Sequence, residues 1–416
     1  MRLTKKVKNI LLKRLVISFL TLFIIRFGTF LPVPGINHND LAFYLQRHST
    51  ARNLISTFSG ENTFVIGVFS LNIFPYINAS IFIQLLLGFS PKLAKLQKEG
   101  DFSSKRFITR LTRAITLIGA IIQSIGVTVY LHQILFDWNF LLALEIIVWL
   151  TTGAMIVLWL SEVITDYGFG TGPSLLIYTN IISNFPNLFK KVLVHNNTFI
   201  SLFGISLLIF TTLYGIVFLQ NGTRPIQLIS SKQLNQNRLQ GRRRNIDRDG
   251  MYLPLRLNQS GVMPIILTSA VLVIPNYILN LSLFQGRNFP EAFKSLYWIS
   301  YFVLVLVFTS FYASIVLNPK DLSDQLQKMA VTIPGIRPGL QTTFYFKKVL
   351  HRVSLIGATI LAIVTVVPNF LESTFNLTGL NGLSTTSLLI MAGVILDLIR
   401  ELNNVVYSNV YKNRYR

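Results

Sequence analysis

Ten apolar runs punctuate this chain, at about 15–33, 70–89, 108–130, 140–160, 169–188, 198–220, 260–283, 295–317, 349–369 and 384–402. As helices rising about 1.5 Å per residue, they are long enough to cross a hydrocarbon layer of about 30 Å. They are continuous blocks without the alternating polarity of barrel strands, so helices are predicted. Only 13% of the residues are charged, about half the share in soluble proteins. That excludes a soluble enzyme, a fibrous protein and a disordered chain. The fold class expected is an all-α polytopic membrane protein with ten transmembrane helices.

The net charge is +22, and charge is costly inside lipid, so its placement carries information. With the runs as alternating spans, 31 of the 38 Lys/Arg fall on one side. They lie in the N-terminal tail, three connections (second to third, sixth to seventh, eighth to ninth) and the C-terminal end. Six lie on the other side, and Arg26 lies inside the first run. This bias supports the span count and, by the positive-inside rule, puts both termini on the stromal or cytoplasmic side. The basic tail followed by an apolar run has the outline of a signal peptide. The run is long for one, however, and leads into Pro32-Val33-Pro34-Gly35 without a small-residue cleavage site, so a retained span is expected.

Three connections are too long to be turns. Residues 221–258 carry Gly241-Arg242-Arg243-Arg244, and 318–348 carry Ile333-Pro334-Gly335-Ile336-Arg337-Pro338-Gly339. On the opposite side, 34–69 is too apolar for a solvated loop and reads as a short helix folding back into a cavity.

Catalytic chemistry is not legible. Without cysteine there is no disulfide or thiolate site. No phosphate-binding loop occurs, and Gly168-Phe169-Gly170-Thr171-Gly172-Pro173 reads as a flexible helix start. The histidines His38, His48, His132, His195 and His351 lack metal-ligand spacing. No catalytic residue, metal site or cofactor is predicted. The spans hold few ionisable groups: Arg26, Glu145, Glu162, Asp166 and Asp397, the last with Arg400 one helical turn away. In the second run, Pro75 is expected to kink the helix and let one face line a cavity. Asn78, Ala79, Ser80 and Gln84 there fit helix packing equally well.

Specificity comes from six stretches in order along the chain: LPVPGI (31–36), FPYINASIFIQLL (74–86), GTGPSLLI (170–177), LPLRLNQSGVMP (253–264), GIRPGLQT (335–342) and TSLLIMAGVILD (386–397). Together they resemble the SecY family, the channel subunits of Sec protein translocases. The resemblance implies two inverted, pseudo-symmetric five-helix halves, 1–190 and 191–416, around an hourglass pore. It implies a pore ring of Ile73, Ile77, Ile177, Ile181, Ile266 and Ile390. An apolar collar resists wetting, and so blocks ions, yet parts around a polypeptide. For any one of these isoleucines, core packing is the competing reading.

Residues 52–67 match the family's plug, with two departures: Gly60-Glu61 where a glycine pair is common, and Asn72 where glycine is common. The lateral gate is expected between spans two and three and spans seven and eight, with Gln123 as a gate residue or a helix-packing residue. The two basic loops resemble a docking platform for the SecA ATPase and the ribosome, with Arg337 as the leading contact. Arg242, Arg243 and Arg244 serve either docking or topology alone. The implied partners are a SecE-like small membrane subunit, a SecG-like subunit, unfolded preproteins and membrane lipid. With energy supplied by the docked ATPase or by chain elongation, the protein is expected to be no enzyme. A secondary transporter using Asp397 is the alternative, and a structural assembly factor a third reading. The abundance of Asn, Ile, Phe and Lys favours a plastid-encoded protein of a thylakoid or other plastid membrane over a bacterial plasma membrane.

Overall fold

A computed structural model describes residues 5–36, 66–90, 93, 102–132, 139–195, 199–230, 251–259, 261, 263–265, 267, 268, 271, 291–374 and 385–414. These form α1 (Lys5–Phe30), α2 (Phe74–Phe89), α3 (Phe102–His132), α4 (Phe140–Tyr167), α5 (Gly172–His195), α6 (Phe199–Asn221), β1 (Thr223–Ser230), β2 (Met251–Arg256), α7 (Glu291–Val316), α8 (Pro319–Lys328), β3 (Val331–Thr332), α9 (Leu340–Thr374) and α10 (Thr385–Arg414). Nine of the ten apolar runs coincide with a helix. The other, 260–283, lies mostly outside the described residues. Four described stretches are long and apolar enough to cross a membrane: Phe102–Val129, Phe140–Tyr167, Trp298–Lys328 and Leu340–Pro368.

The chain divides into two compact units, Met1–Asn187 with Val394–Arg416, and Leu188–Gly393. In the first unit the helices bury small or hydroxyl-bearing faces and expose large apolar ones. α1 buries Ser18, Thr21, Ile25 and Thr29, while Phe19, Phe23 and Phe27 are more than half exposed. α3 buries Thr116, Ala120, Ser124 and Thr128 at four-residue spacing, and exposes Ile118, Ile122, Ile125 and Val129. Small faces let helices approach closely, and apolar outer faces suit lipid. The Ser124 and Thr151 hydroxyls meet at 3.2 Å across α3 and α4. Arg113 on α3 donates two hydrogen bonds to Glu162 on α4, at 2.9 and 2.8 Å.

The ends of the 34–69 connection are clipped together. Val33 N–H donates to the Ile66 carbonyl at 3.0 Å and Val68 N–H to the Leu31 carbonyl at 2.9 Å. Residues 67–73 then form tight turns leading into α2. This corrects the expected kink. Pro75 lies in the first turn of α2, where no N–H is needed and proline favours helix initiation. The second run is therefore helical only from Phe74, and residues 70–73 are turn.

In the second unit, the two long basic connections contribute to one small domain, which the all-helical expectation did not include. β1 pairs antiparallel with β2 and β3, in the order β2-β1-β3. Ile226, Leu228, Leu255, Val331 and Ile333 join Leu326 of α8 and Phe346, Val349 and Leu350 of α9 in a buried apolar cluster. α9 packs along α7, with Trp298 edge-on to Phe370 at 6.4 Å. Gly357 lets the Leu257 carbonyl lie against α9, where any Cβ would collide with it.

Candidate channel-lining and docking residues

Ile73 and Ile77 are held by the turn that starts α2. Both are buried, and Ile77 N–H donates to the Ile73 carbonyl at 3.1 Å. Asn72, just before them, has φ +48°, a left-handed conformation that asparagine tolerates better than most non-glycine residues. Its Oδ1 accepts from Ile73 N–H at 2.8 Å, and its own N–H donates to the Phe69 carbonyl at 2.9 Å. At the position where the resemblance implies glycine, Asn72 adopts a left-handed backbone and reinforces it with its own side chain.

Ile177 and Ile181 lie one turn apart on α5 and are half-buried. The helix start is tightly fastened. Phe169 N–H donates to Ser18 Oγ at 2.8 Å, and Gly172 N–H to Thr165 Oγ1 at 2.9 Å. Residues 168–171 are thus a compact turn between α4 and α5, with Gly170 at φ +76°, and Gly172 and Pro173 open α5. Ser18 and Thr165 were not picked out from sequence. The inward small-polar face of α1 was the available signal for Ser18.

Ile390 lies on α10 and is half-buried. Ile266 lies outside the described residues, as do 52–65 of the plug match and Arg242, Arg243 and Arg244. Gln123 lies on α3, with its Oε1 buried and without a hydrogen-bond partner among the described residues. A buried amide oxygen of this kind favours a donor from elsewhere.

Arg337 is exposed on the loop between β3 and α9, and the backbone beneath it is pinned. Thr342 Oγ1 donates to the Arg337 carbonyl at 2.9 Å, and Ser323 Oγ to the Gly339 carbonyl at 3.1 Å. Gly335 and Gly339 have φ +77° and +103°, which supply the reversals that a longer side chain resists. Arg337 is therefore presented on a constrained loop.

Of the ionisable residues singled out in the spans, Glu162, Asp397 and Arg26 have described partners, Glu162 through Arg113. Arg400 donates to Asp397 at 3.1 Å, as the one-turn spacing predicts. Asp397 is 71% exposed, so the carboxylate a transporter would rely on is an exposed, paired group. The Arg26 guanidinium lies over the Phe30 ring, 5.2 Å from its centre.

Long apolar helices together with a small sheet domain built from basic connections define a polytopic helical membrane protein. The SecY family model matches residues 67–399. The chain is 55% identical over 419 residues to the protein translocase subunit SecY of Trieres chinensis, covering 98% of each chain. It is 42% identical to that of Guillardia theta, again covering 98% of each. It is 37% identical to that of Synechococcus elongatus, over 96% of this chain and 93% of the relative. Among solved structures it resembles a protein-conducting channel, with TM-score 0.62, 14% identity and coverage of 95% of this chain and 92% of that one. Sec61 in a canine ribosome–channel complex gives TM-score 0.59, 14% identity and the same coverage of 95% and 92%. The chain belongs to the SecY family.

Proposed function

We propose that this chain is the protein-conducting subunit of a translocase, passing unfolded polypeptides across the membrane and releasing apolar segments into lipid. The observation that carries this reading is end-to-end similarity to protein translocase subunits. Ile73, Ile77, Ile177, Ile181, Ile266 and Ile390 form the constriction in this reading, and residues 52–67 the plug. Gln123 belongs to the lateral gate, where its buried oxygen, without a hydrogen-bond partner among the described residues, suits a donor supplied across the gate. The channel is passive. SecA or an elongating ribosome supplies the work, docked at Arg337 with Arg242, Arg243 and Arg244, whose charge suits acidic protein faces and RNA phosphate. A SecE-like subunit braces the channel and a SecG-like subunit accompanies it. The basic side faces stroma or cytoplasm, by the positive-inside rule. Relatives in a diatom and a cryptophyte support a plastid membrane, and the thylakoid is the plastid membrane this reading favours.

The test is ion conductance in reconstituted vesicles. Replacing Ile73, Ile77, Ile177 and Ile181 together with serine raises the leak of small ions, because a polar collar wets. Unchanged conductance in a correctly folded variant removes the ring assignment.

A further inference from the structure

Between the end of α7 and the first half of α9, within the second unit, lies a cavity of about 840 Å³. That is within the range of small-molecule pockets, about 300–1,000 Å³. Its wall is largely apolar, with Leu317 and Leu350 inside and Phe344 at an exposed edge. Lys320, Lys347, Lys348 and His351 also line it, and no carboxylate does. None of these three lysines forms an ion pair with a described residue.

The hydroxyls of the lining donate elsewhere. Ser310 donates to the Val307 carbonyl at 2.9 Å, and Ser314 to that of Phe311 at 2.6 Å. Thr343 donates to the Gly339 carbonyl at 3.3 Å, and Ser354 to that of His351 at 3.0 Å. The Asn318 side-chain oxygen accepts from Lys320 N–H at 3.1 Å. The donors that remain for a ligand are chiefly the lysine ammonium groups, so the cavity selects an anion. Ser310, Ala313 and Ser314 recur at i, i+3 and i+4 on α7, and these small residues leave room, with Leu317 following just past the helix end.

Depth narrows the choice. The apolar run carried by α7 ends at Leu317, just past the helix, and that of α9 begins just after Arg352. The cavity straddles both transitions, the level at which a membrane helix meets lipid headgroups. A ligand there has to be anionic at one end and apolar at the other.

We infer that this cavity binds an anionic phospholipid, with the headgroup phosphate among Lys320, Lys347 and Lys348 and the acyl chains leaving along Leu317 and Leu350. Arg337 is not among the lining residues, and lipid retention by the isolated chain requires no export partner. Failure here therefore leaves the channel reading intact, and failure of that reading leaves this one testable.

The experiment is native mass spectrometry of the full chain, purified in uncharged detergent after reconstitution with equal phosphatidylglycerol and phosphatidylcholine. The wild-type chain retains phosphatidylglycerol preferentially. Substituting Lys320, Lys347 and Lys348 together with glutamine reduces that retention at least about tenfold, since each basic group near an anionic lipid contributes about the energy that makes this factor conservative. Ser314→Trp, which fills the cavity and keeps every charge, reduces it comparably, and it carries the decision alone if the triple variant does not fold. Arg337→Gln retains lipid as wild type does. Equal retention by wild type and the cavity variants overturns the inference. So does a photo-crosslinker at Thr343 that captures an acidic polypeptide in membranes instead of phospholipid.

Discussion

Asn72 shows how one side chain sets the start of a helix. At φ +48° a branched residue is strained by roughly 1–2 kcal/mol, and removing the side-chain bond to Ile73 N–H adds about 0.5–1.5 kcal/mol. Asn72→Val is therefore expected to destabilise the protein by about 2–3 kcal/mol. Asn72→Gly relieves the strain while losing the bond, and is expected to be near neutral. Thermal unfolding in one fixed detergent separates the two outcomes; equal losses would contradict the backbone explanation. Ala330, between α8 and β3, has φ +53° without an asparagine's tolerance. Ala330→Gly is expected to stabilise by up to about 1 kcal/mol, the relief of strain outweighing the entropy of a freer unfolded chain. The same thermal measurement checks it. Neither conformation is legible from residue type, because non-glycine left-handed residues depend on the turn around them.

At the level of elements, close approach is the organising device. A Cβ on Gly153 of α4 would collide with the Val68 carbonyl, and one on Gly67 with the Thr29 carbonyl. These contacts press the turn before α2 against α1 and α4. Gly153→Ala is expected to cost about 1–3 kcal/mol through overpacking and to displace the turn that carries Ile73. A broadened, earlier thermal transition with unchanged helix content by circular dichroism is the outcome to look for. Wild-type stability would show that the turn moves aside freely. The Arg113–Glu162 pair, by contrast, is partly exposed and is expected to matter less. Nine of the ten helices predicted from apolar runs are found among the described residues, because hydropathy is a local property. Pro75 was misplaced because it lies at a helix start inside an unbroken apolar run, and hydropathy does not register that boundary.

For the molecule as a whole, charge is the main lever. Arg337 stands exposed on a loop braced by Thr342 and Ser323, so its substitution leaves the buried cluster beneath it unchanged. Arg337→Glu is expected to abolish most export driven by a soluble motor, with normal membrane insertion and thermal stability of the channel. Salt should weaken the wild-type docking, because exposed charges are screened over about 8–10 Å near physiological ionic strength. Export assays with membranes containing either chain decide the matter; normal export by the variant would remove the docking role. The Asp397–Arg400 pair makes the complementary point. A one-turn spacing read from sequence anticipated the pairing of this carboxylate, which is partly neutralised and exposed.

Length, hydropathy and the one-sided distribution of lysine and arginine were sufficient for the membrane class, the span positions and the expected orientation, because each is additive along the chain. The family motifs named the candidate isoleucines and Arg337 for the same reason, being short and contiguous. Tertiary structure decided what depends on distant partners. It joined residues 223–230, 251–256 and 331–332 into one sheet, and fastened Phe169 to Ser18 across 151 positions of sequence. It also gathered three lysines at one apolar cavity. A hydrogen bond between segments far apart in sequence leaves no periodic trace in either of them, so only the folded backbone brings such groups within reach.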